Sequence, residues 1–166
     1  MTVVRLRDPS EKVRGLESAR EWRALHSGRV VFTNGVFDLL HAGHVDVLLG
    51  ARRFGEALVV GVNSDESVQR LKGPERPIRS EAERAYVLAA FEMVDCVVIF
   101  AEDTPIELVK ALRPDVLVKG GDYAESTIVG APEVRAWGGD VHVVALTPGH
   151  STTNLVKKLR GESKAR

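Results

Sequence analysis

The chain has 166 residues, a length that predicts a single domain with its own hydrophobic core. Hydrophobic residues make up 44% and charged residues 28% of the chain, and these globular values exclude a disordered or collagen-like protein. The 23 Lys and Arg residues balance the 23 Asp and Glu residues, so the overall charge does not favour nucleic acid or an anionic membrane as a partner.

The predicted elements begin with a leading helix outside the sheet over residues 9–27, capped by Ser10. Apolar runs then predict five strands, at 29–33, 57–62, 96–100, 116–119 and 141–146. Helical patterns follow four of these strands directly or after a short loop, at 45–54, 81–91, 103–112 and 151–159. We therefore divide the chain into a helical extension (1–28), a main domain (29–159) and a short charged tail (160–166).

The predicted strands lack the alternation of apolar and polar residues that marks a half-exposed strand. Strands of this kind, separated by helices, are typical of a parallel sheet covered on both faces. The sequence therefore predicts an α/β fold with a Rossmann-like, doubly wound sheet of five parallel strands. In the helix at 81–91 we expect four residues to face the core: Ala85, Val87, Leu88 and Ala89.

Cys96 is the only cysteine, which excludes an internal disulfide framework and a zinc site built from cysteines. We expect Cys96 to be an inert buried thiol, and its isolation favours a reducing cytoplasm. No apolar run approaches the ~18–20 residues of a membrane-spanning helix.

Polar residues and glycines follow four of the five predicted strands, at 33–44, 63–65, 119–123 and 147–154. In an open α/β sheet, ligands bind beyond the carboxyl ends of the strands, where the strand order reverses. We therefore expect these separate segments to meet at one site.

The strongest motif is His41-Ala42-Gly43-His44 at a predicted helix start. Two histidines three residues apart share a helix face, and the helix N-terminus favours an anion. Gly43 lets a ligand approach the backbone closely. The motif predicts a phosphate site that suits the charge of a phosphoryl-transfer transition state. The alternatives are a capping and packing role for the histidines, or a zinc site, for which no third ligand is evident.

Three further segments could join this site. Ser151, Thr152 and Thr153 at the last helix start could donate to phosphate oxygens, or could simply cap that helix. Residues 69–84 carry five cations with glycine and proline, and predict a mobile basic loop over a triphosphate; a solvated charged loop is the alternative. The five cations are Arg70, Lys72, Arg76, Arg79 and Arg84.

The segment 119–123 could hold a base or a sugar, because Gly121 gives backbone access, Asp122 accepts hydrogen bonds and Tyr123 can stack. An ordinary turn after a strand is the alternative. Asp38 could ligate Mg²⁺ indirectly, but a cap on the histidine-bearing helix is the favoured interpretation.

With these motifs the chain resembles the cytidylyltransferase-like nucleotidyltransferases, whose hallmark is a His-x-Gly-His box after the first strand. Four stretches carry the resemblance: 33–44, 62–65 with 70–73, 117–123 and 151–154. The Lys-Gly-Gly-Asp-Tyr and Ser-Thr-Thr-Asn segments within the last two resemble the adenylyltransferases of bacterial ADP-heptose synthesis.

The resemblance implies that residues 29–159 form a nucleotidyltransferase domain. The implied reaction joins AMP from ATP to D-glycero-D-manno-heptose 1-phosphate, with Mg²⁺ and release of pyrophosphate. A homodimer is also implied. The 166 residues leave no room for the sugar kinase often fused in this branch, so the stand-alone form is expected.

The resemblance further implies roles for individual residues. Catalysis is expected from His41, His44 and Lys72. Nucleotide contacts are expected from Thr33, Asn34, Gly35, Val36, Phe37, Gly43, Gly121, Asp122, Ser151, Thr152 and Thr153. Contacts with the sugar phosphate are expected from Asp38, Asn63, Asp65, Arg84 and Lys119, with bracing of the basic loop as the alternative for Arg84. No residue is expected to hold a metal independently of ATP.

Two other functions stay open. One is a cytidylyltransferase for a polyol or aminoalcohol phosphate such as glycerol 3-phosphate. Its glycerol-3-phosphate branch carries an Arg-Thr pair where this chain has Leu146-Thr147, which counts against that interpretation. The other is a nucleotide-binding regulatory module without catalysis, and the presence of both histidines and Lys72 argues against it.

Overall fold

A computed structural model describes residues 7–121 and 123–145 of the protein. The strands are β1 (Val30–Gly35), β2 (Ala57–Asn63), β3 (Cys96–Phe100), β4 (Val116–Gly120) and β5 (Asp140–Val144). The helices are α1 (Leu16–Ala24), α2 (Ala42–Arg52), α3 (Asp65–Lys72), α4 (Glu81–Ala89), α5 (Ile106–Leu112) and α6 (Ala131–Ala136). Two short 3-10 helices lie at Pro9–Lys12 and Glu125–Thr127.

The five strands form one parallel sheet in the order β3-β2-β1-β4-β5. The chain runs outward from β1 to β3, then returns to the other side of β1 for β4 and β5. The strand order therefore reverses between β1 and β4, which is where an open sheet leaves a crevice for a ligand. The predicted doubly wound parallel sheet is confirmed.

Helices cover both faces of the sheet and bury two apolar clusters. One cluster includes residues of α1, α5 and α6, with Phe32 and Leu117 from the strands. The other includes residues of α2 and α4, with Leu58 from β2. Every residue of β2 is buried, which explains why its sequence does not alternate. Full burial of a side chain such as Leu58 contributes about 1.5–3 kcal/mol.

The N-terminal segment differs from the expected single helix outside the sheet. The first 3-10 helix is capped by Asp8, whose carboxylate accepts the Ser10 N–H at 2.8 Å, and α1 starts at Leu16 after its N-cap residue Gly15. Ser10 therefore caps no helix. Between the two helical pieces Val13 forms a parallel bridge to β3, and α1 packs on the sheet through the buried Ala19.

The stretch from Gln69 to Lys72 is also different, because it is the end of α3 and not part of a loop. Ser64 caps this helix by accepting the Ser67 N–H at 3.2 Å, and Gly73 ends it with a φ of 97°. This short helix has mostly charged and polar residues, so its sequence lacks the apolar periodicity that predicts a helix.

In α4, burial of Ala85, Leu88 and Ala89 confirms most of the expected core face, but Val87 is 46% exposed. Positions 85, 88 and 89 follow the i, i+3, i+4 spacing of one helix face, and 87 lies on the opposite side.

Cys96 is fully buried at the start of β3, as expected. Burial raises the pKa of its thiol to about 12, so the thiol is unreactive at ordinary pH. Within the two described ranges, no helix has both the length and the apolar character needed to cross a bilayer. The expected helix at 151–159 and the charged tail lie outside these ranges.

Candidate active site

The start of α2 lies over the reversal point between β1 and β4. A Cβ atom on Gly120 would come within 2.2 Å of Cγ2 of Val47, a contact that no real side chain could tolerate. Glycine at the end of β4 therefore lets α2 pack directly against the sheet. This packing holds the N-terminus of α2 at the carboxyl end of the central strands, where the anion-binding motif was expected.

The two histidines of the motif form a stacked pair at the start of α2. His41 is the N-cap residue and His44 is the third residue of the helix. Their ring centroids are 3.9 Å apart with an interplanar angle of 30°. The His41 backbone N–H donates to Nδ1 of His44 at 3.3 Å, and the two residues form a reciprocal capping box. The capping alternative is thus part of the observed geometry.

The surroundings of His44 keep its ring neutral. Burial, followed by the nearby His41 ring, lowers the pKa of His44 to about 4. Because Nδ1 accepts a hydrogen bond, the neutral ring carries its proton on Nε2. Capping therefore uses one nitrogen and leaves an N–H donor on the other, which can bind a phosphate oxygen.

Phe37 packs against this pair from the loop after β1. Its ring centroid lies 5.3 Å from that of His44, and the residue is 5% exposed. Its backbone has a φ of 49°, which is rare for a residue with a large side chain. A Cβ atom on Gly35 would lie 3.1 Å from Cε2 of Phe37, so Gly35 gives the ring its room.

Lys119 links the ends of β4 and β1. Its Nζ donates to Oδ1 of Asn34 at 3.2 Å, and the ammonium lies 5.9 Å from the Tyr123 ring centroid. Burial lowers the pKa of Lys119. The side chain thus places a positive charge beside the carboxyl ends of the two central strands.

A cavity of about 330 Å³ opens beside these residues. Five of the expected site residues line it: Asn34, Gly35, Asn63, Lys72 and Lys119. A second cavity, of about 460 Å³, is lined by residues 37–40 and by Arg79, Glu83, Arg84, Tyr86 and Val87. The loop after β1 lines both cavities, with Asn34 and Gly35 on the first and residues 37–40 on the second.

The structure sorts the five cations of residues 69–84 into two groups. Four of them form ion pairs: Arg70 with Asp103, Arg76 with Asp38, Arg79 with Glu83, and Arg84 with Asp65. Among residues 7–121 and 123–145, no carboxylate lies within ion-pair distance of Lys72. Lys72 is therefore the member of this run that can offer its full charge to a ligand in the cavity.

Asp38 does not cap α2, so that expectation is wrong. Its carboxylate accepts from Arg76 Nε at 2.6 Å and from the backbone N–H groups of Ile78 and Arg79 at 2.8 and 2.9 Å. These bonds favour the ionised form and lower the pKa of Asp38 against the opposing effect of burial. Asp38 thus ties the loop after β1 to residues 76–79.

Arg84 is buried and gives hydrogen bonds to three separate segments. It donates to the carbonyl of Val36 at 2.6 Å, to the carbonyl of Arg79 at 3.0 Å and to the Asp65 carboxylate at 2.7 Å. With a residue exposure of 2%, this geometry favours bracing over contact with a phosphate.

The remaining expected residues have mixed placements. Thr33 is buried within β1, Gly43 lies in the first turn of α2, and Asn63 donates to Ser67 Oγ at 3.0 Å. Gly121, with a φ of 125°, follows β4 and donates its N–H to the Val144 carbonyl at 3.0 Å. Asp122, Ser151, Thr152 and Thr153 lie outside the described residues.

The sequence prediction missed several lining residues of the smaller cavity, among them Asp103, Thr104 and Ile128. Asp103 and Thr104 follow β3 at the same edge of the sheet as the other polar segments. Reading the end of the third strand in the same way as the others would have found these two. Ile128 follows a short 3-10 helix and carries no comparable signal.

The zinc alternative gains no support from the part of the chain that the structure describes. Within it, no three His, Cys, Asp or Glu side chains come together as a group that could hold a metal ion. The stacked histidines thus lack further protein ligands there.

Known proteins provide an independent comparison. A family model described as Cytidylyltransferase-like matches residues 32–158. The chain is 54% identical over 155 residues to the bifunctional protein HldE of Methylobacillus flagellatus, a match covering 90% of this chain and 31% of that protein. It is 59% identical over 143 residues to the bifunctional protein HldE of Koribacter versatilis, covering 86% and 29%. The chain therefore spans about a third of the length of these relatives.

Solved structures agree with this comparison. A lipopolysaccharide core biosynthesis protein from Thermoplasma volcanium matches with a TM-score of 0.60 and 28% identity, over 73% of this chain and 98% of that one. A pantoate-beta-alanine ligase from Francisella tularensis shares the fold at 11% identity with a TM-score of 0.59, over 89% and 76%. The sheet order, the histidine motif at the start of α2 and the match over residues 32–158 agree, and the chain belongs to the cytidylyltransferase-like family of nucleotidyltransferases.

Proposed function

We propose that this chain transfers AMP from ATP to D-glycero-D-manno-heptose 1-phosphate and releases pyrophosphate. The observation that carries the proposal is the stacked, neutral histidine pair at the start of α2. The loop after β1 connects this pair to a cavity lined by Lys72 and Lys119, because Gly35 lines the cavity and Phe37 packs against His44. The Lys-Gly-Gly-Asp-Tyr and Ser-Thr-Thr-Asn segments support the heptose branch. The relatives named HldE and the lipopolysaccharide core biosynthesis protein support the same choice.

The reaction is a direct displacement at the α-phosphorus of ATP. A phosphate oxygen of the sugar phosphate forms the new P–O bond. The bond from the α-phosphorus to the oxygen that bridges to the β-phosphorus breaks, and its electron pair leaves on pyrophosphate. The nucleophile is already an anion, so no general base is required. Catalysis then rests on positioning and on stabilising negative charge in the transition state.

The described residues supply donors and cations for this task. The Nε2–H group of His44 donates to a phosphate oxygen, with His41 and the backbone around Gly43 beside it. Lys72 and Lys119, which both line the smaller cavity, supply positive charge. The nucleotide is held by residues at the ends of the central strands: Thr33, Asn34, Gly35, Val36, Phe37 and Gly121. The proposed contacts with the sugar phosphate come from Asn63, at the end of β2, and from Asp65, at the start of α3.

Four residues beyond the described ranges complete the proposed site. Ser151, Thr152 and Thr153 hold the β- and γ-phosphates, and Asp122 accepts from a hydroxyl group of the nucleotide or the sugar. Mg²⁺ arrives as its complex with ATP, since phosphate oxygens and water supply most of its ligands in nucleotide sites.

The test is a pyrophosphate-release assay with purified protein and Mg²⁺. ATP and CTP are compared in parallel, each with a panel of sugar 1-phosphates and with glycerol 3-phosphate. We expect turnover with ATP and the heptose 1-phosphate. Lys72→Ala should reduce it strongly, whereas Arg20→Gln, which breaks an exposed ion pair on α1, should leave it unchanged.

Other results would contradict the proposal. Turnover with CTP and glycerol 3-phosphate alone would establish the cytidylyltransferase alternative. ATP binding without turnover on any acceptor would favour a regulatory module.

We further propose a homodimer in a reducing cytoplasm. Ile78, Tyr86 and Val87 are each about half exposed, and the last two line the larger cavity, which supports an apolar contact surface there. The unpaired, buried Cys96 fits a reducing compartment. Sedimentation analysis tests the dimer, and a monomer at all micromolar concentrations would contradict it.

A further inference from the structure

The backbone at Phe37 carries strain that the surrounding structure must balance. A φ of 49° puts a large aromatic residue in the left-handed region, which is unfavourable for a residue with a side chain because its Cβ atom crowds the backbone. Such conformations persist only where neighbouring contacts hold them, and they cluster at functional sites. Phe37 lies between the central strand β1 and the histidine pair.

Both neighbours of Phe37 in the chain are held by buried, charged groups. The preceding carbonyl, that of Val36, accepts from the buried Arg84 at 2.6 Å. The following residue, Asp38, has a side chain that is 1% exposed and accepts three hydrogen bonds from residues 76–79. Arg84 is itself fixed by the Asp65 carboxylate at 2.7 Å.

We call the contacts of Arg84 with Val36 and of Asp38 with residues 76–79 the clamp. The clamp fixes the position of the Phe37 ring. In its left-handed conformation Phe37 packs against the open face of Gly35 and lies 5.3 Å from the His44 ring. The Phe37 ring thus packs beside the imidazole ring that carries the proposed phosphate donor. A shift of about 1 Å in such a donor can cost 10²-fold in rate.

We propose that Asp38 and Arg84 are positioning residues that act through Phe37, and that they do not contact the substrates. Together they hold Phe37 in its strained conformation, and Phe37 sets the place of the His44 ring. The rate consequence of this inference rests on the proposed function, whereas its structural consequence does not.

The first test is a double-mutant cycle on turnover. Asp38→Asn keeps the shape and one acceptor oxygen for the Ile78 and Arg79 N–H groups, but it presents an NH₂ group to Arg76. We expect kcat to fall by about 10- to 100-fold while the KM for ATP changes less than about threefold. Arg84→Lys keeps the positive charge but cannot make all three hydrogen bonds of the guanidinium group. We expect it to lower kcat to a similar extent, with a similarly small change in KM.

The decisive comparison uses Phe37→Gly, because glycine adopts this φ without strain and needs no clamp. In that background Asp38→Asn should lower kcat by no more than about threefold. Fold losses that multiply instead would mean that Asp38 acts independently of Phe37, and would overturn the proposal. Arg20→Gln serves as the matched control for an ion pair remote from the site.

The second test does not depend on turnover. The Cε1–H resonance of His44, observed by NMR in histidine-labelled protein, senses the nearby Phe37 ring. We expect Phe37→Leu to move this resonance, and Asp38→Asn and Arg76→Gln to move it in the same direction. A resonance unmoved by Asp38→Asn in folded protein would overturn the proposal. Absence of turnover in the wild type would instead count against the proposed reaction and leave this test standing.

Discussion

At His44 one imidazole ring takes part in a helix cap and also carries the proposed phosphate donor. Nδ1 accepts the His41 backbone N–H, so Nε2 keeps its proton and faces away from the cap. The residue types alone suggested capping and phosphate binding as competing roles. In the proposed site, the capping hydrogen bond favours the tautomer that leaves Nε2–H as a donor to a phosphate oxygen.

The catalytic role proposed for His44 gives the first prediction. His44→Ala should lower kcat by at least about 10²–10³-fold, equivalent to roughly 2.7–4 kcal/mol, because an oxyanion donor is lost. His44→Gln, which restores an N–H donor, should recover part of that loss. Pyrophosphate release measures the effect, and thermal unfolding confirms that both variants are folded. Near-normal turnover of His44→Ala would remove the histidine from the mechanism.

The lowered pKa of His44 predicts a specific dependence of stability on pH. The native pKa is about 4, below the ordinary value of 6.5, so the native state resists protonation more than the unfolded state does. The stabilising contribution of neutral His44 to the free energy of unfolding is therefore complete above pH 6.5. It declines as the pH falls from 6.5 toward 4. The free energy of unfolding, measured by urea denaturation at several pH values in this window, should change less with pH for His44→Gln than for the wild type. The same pH dependence of unfolding free energy in both proteins would contradict the lowered pKa of His44.

At the level of elements, the placement of α2 depends on the lack of a side chain at Gly120. Gly120→Ala would put a Cβ atom 2.2 Å from Val47 Cγ2, so α2 must shift or the strand must bend. We expect a loss of about 1–3 kcal/mol in unfolding free energy together with reduced turnover. The double variant Gly120→Ala/Val47→Ala should recover turnover, because it restores the space. Full activity of the single variant would show that α2 need not pack this closely.

The elements that the sequence predicts best are the strands with continuous apolar runs. The strand Cys96–Phe100 has the expected bounds, and β2 differs by one residue. Burial on both faces makes such runs continuous, and this pattern is visible without tertiary information. The charged stretch containing Lys72 was misread, because the cap at Ser64 and the left-handed Gly73 decide its helix.

Long-range contacts explain why the sequence did not predict the roles of Asp38 and Arg84. Asp38 precedes a helix start, where a cap was the reasonable local interpretation, but its partners lie 38 to 41 positions further along the chain. No local pattern contains that information. The same holds for Arg84, whose partners belong to three different segments. The gathering of Asn34, Asn63 and Lys119 was predictable, because they lie at the ends of parallel strands, which share one edge of the sheet.

At the scale of the whole molecule, the charges balance. The formal net charge is zero and the isoelectric point is about 7.0. We therefore expect solubility to pass through a minimum near neutral pH, where little net repulsion opposes association. Precipitation with polyethylene glycol at several pH values measures this. Solubility that changes in one direction through neutral pH would contradict the expectation.

The bridge between Val13 and β3 has a consequence for the shelf life of the protein. β3 is an outer strand of the sheet, and the Arg14 N–H donates to its Val97 carbonyl at 2.9 Å. The short segment before α1 therefore occupies backbone groups that would otherwise be open to a strand from another molecule. Proteolytic removal of the residues before Leu16 would expose the backbone groups of this edge of β3. The trimmed protein should therefore aggregate faster on storage than the intact chain.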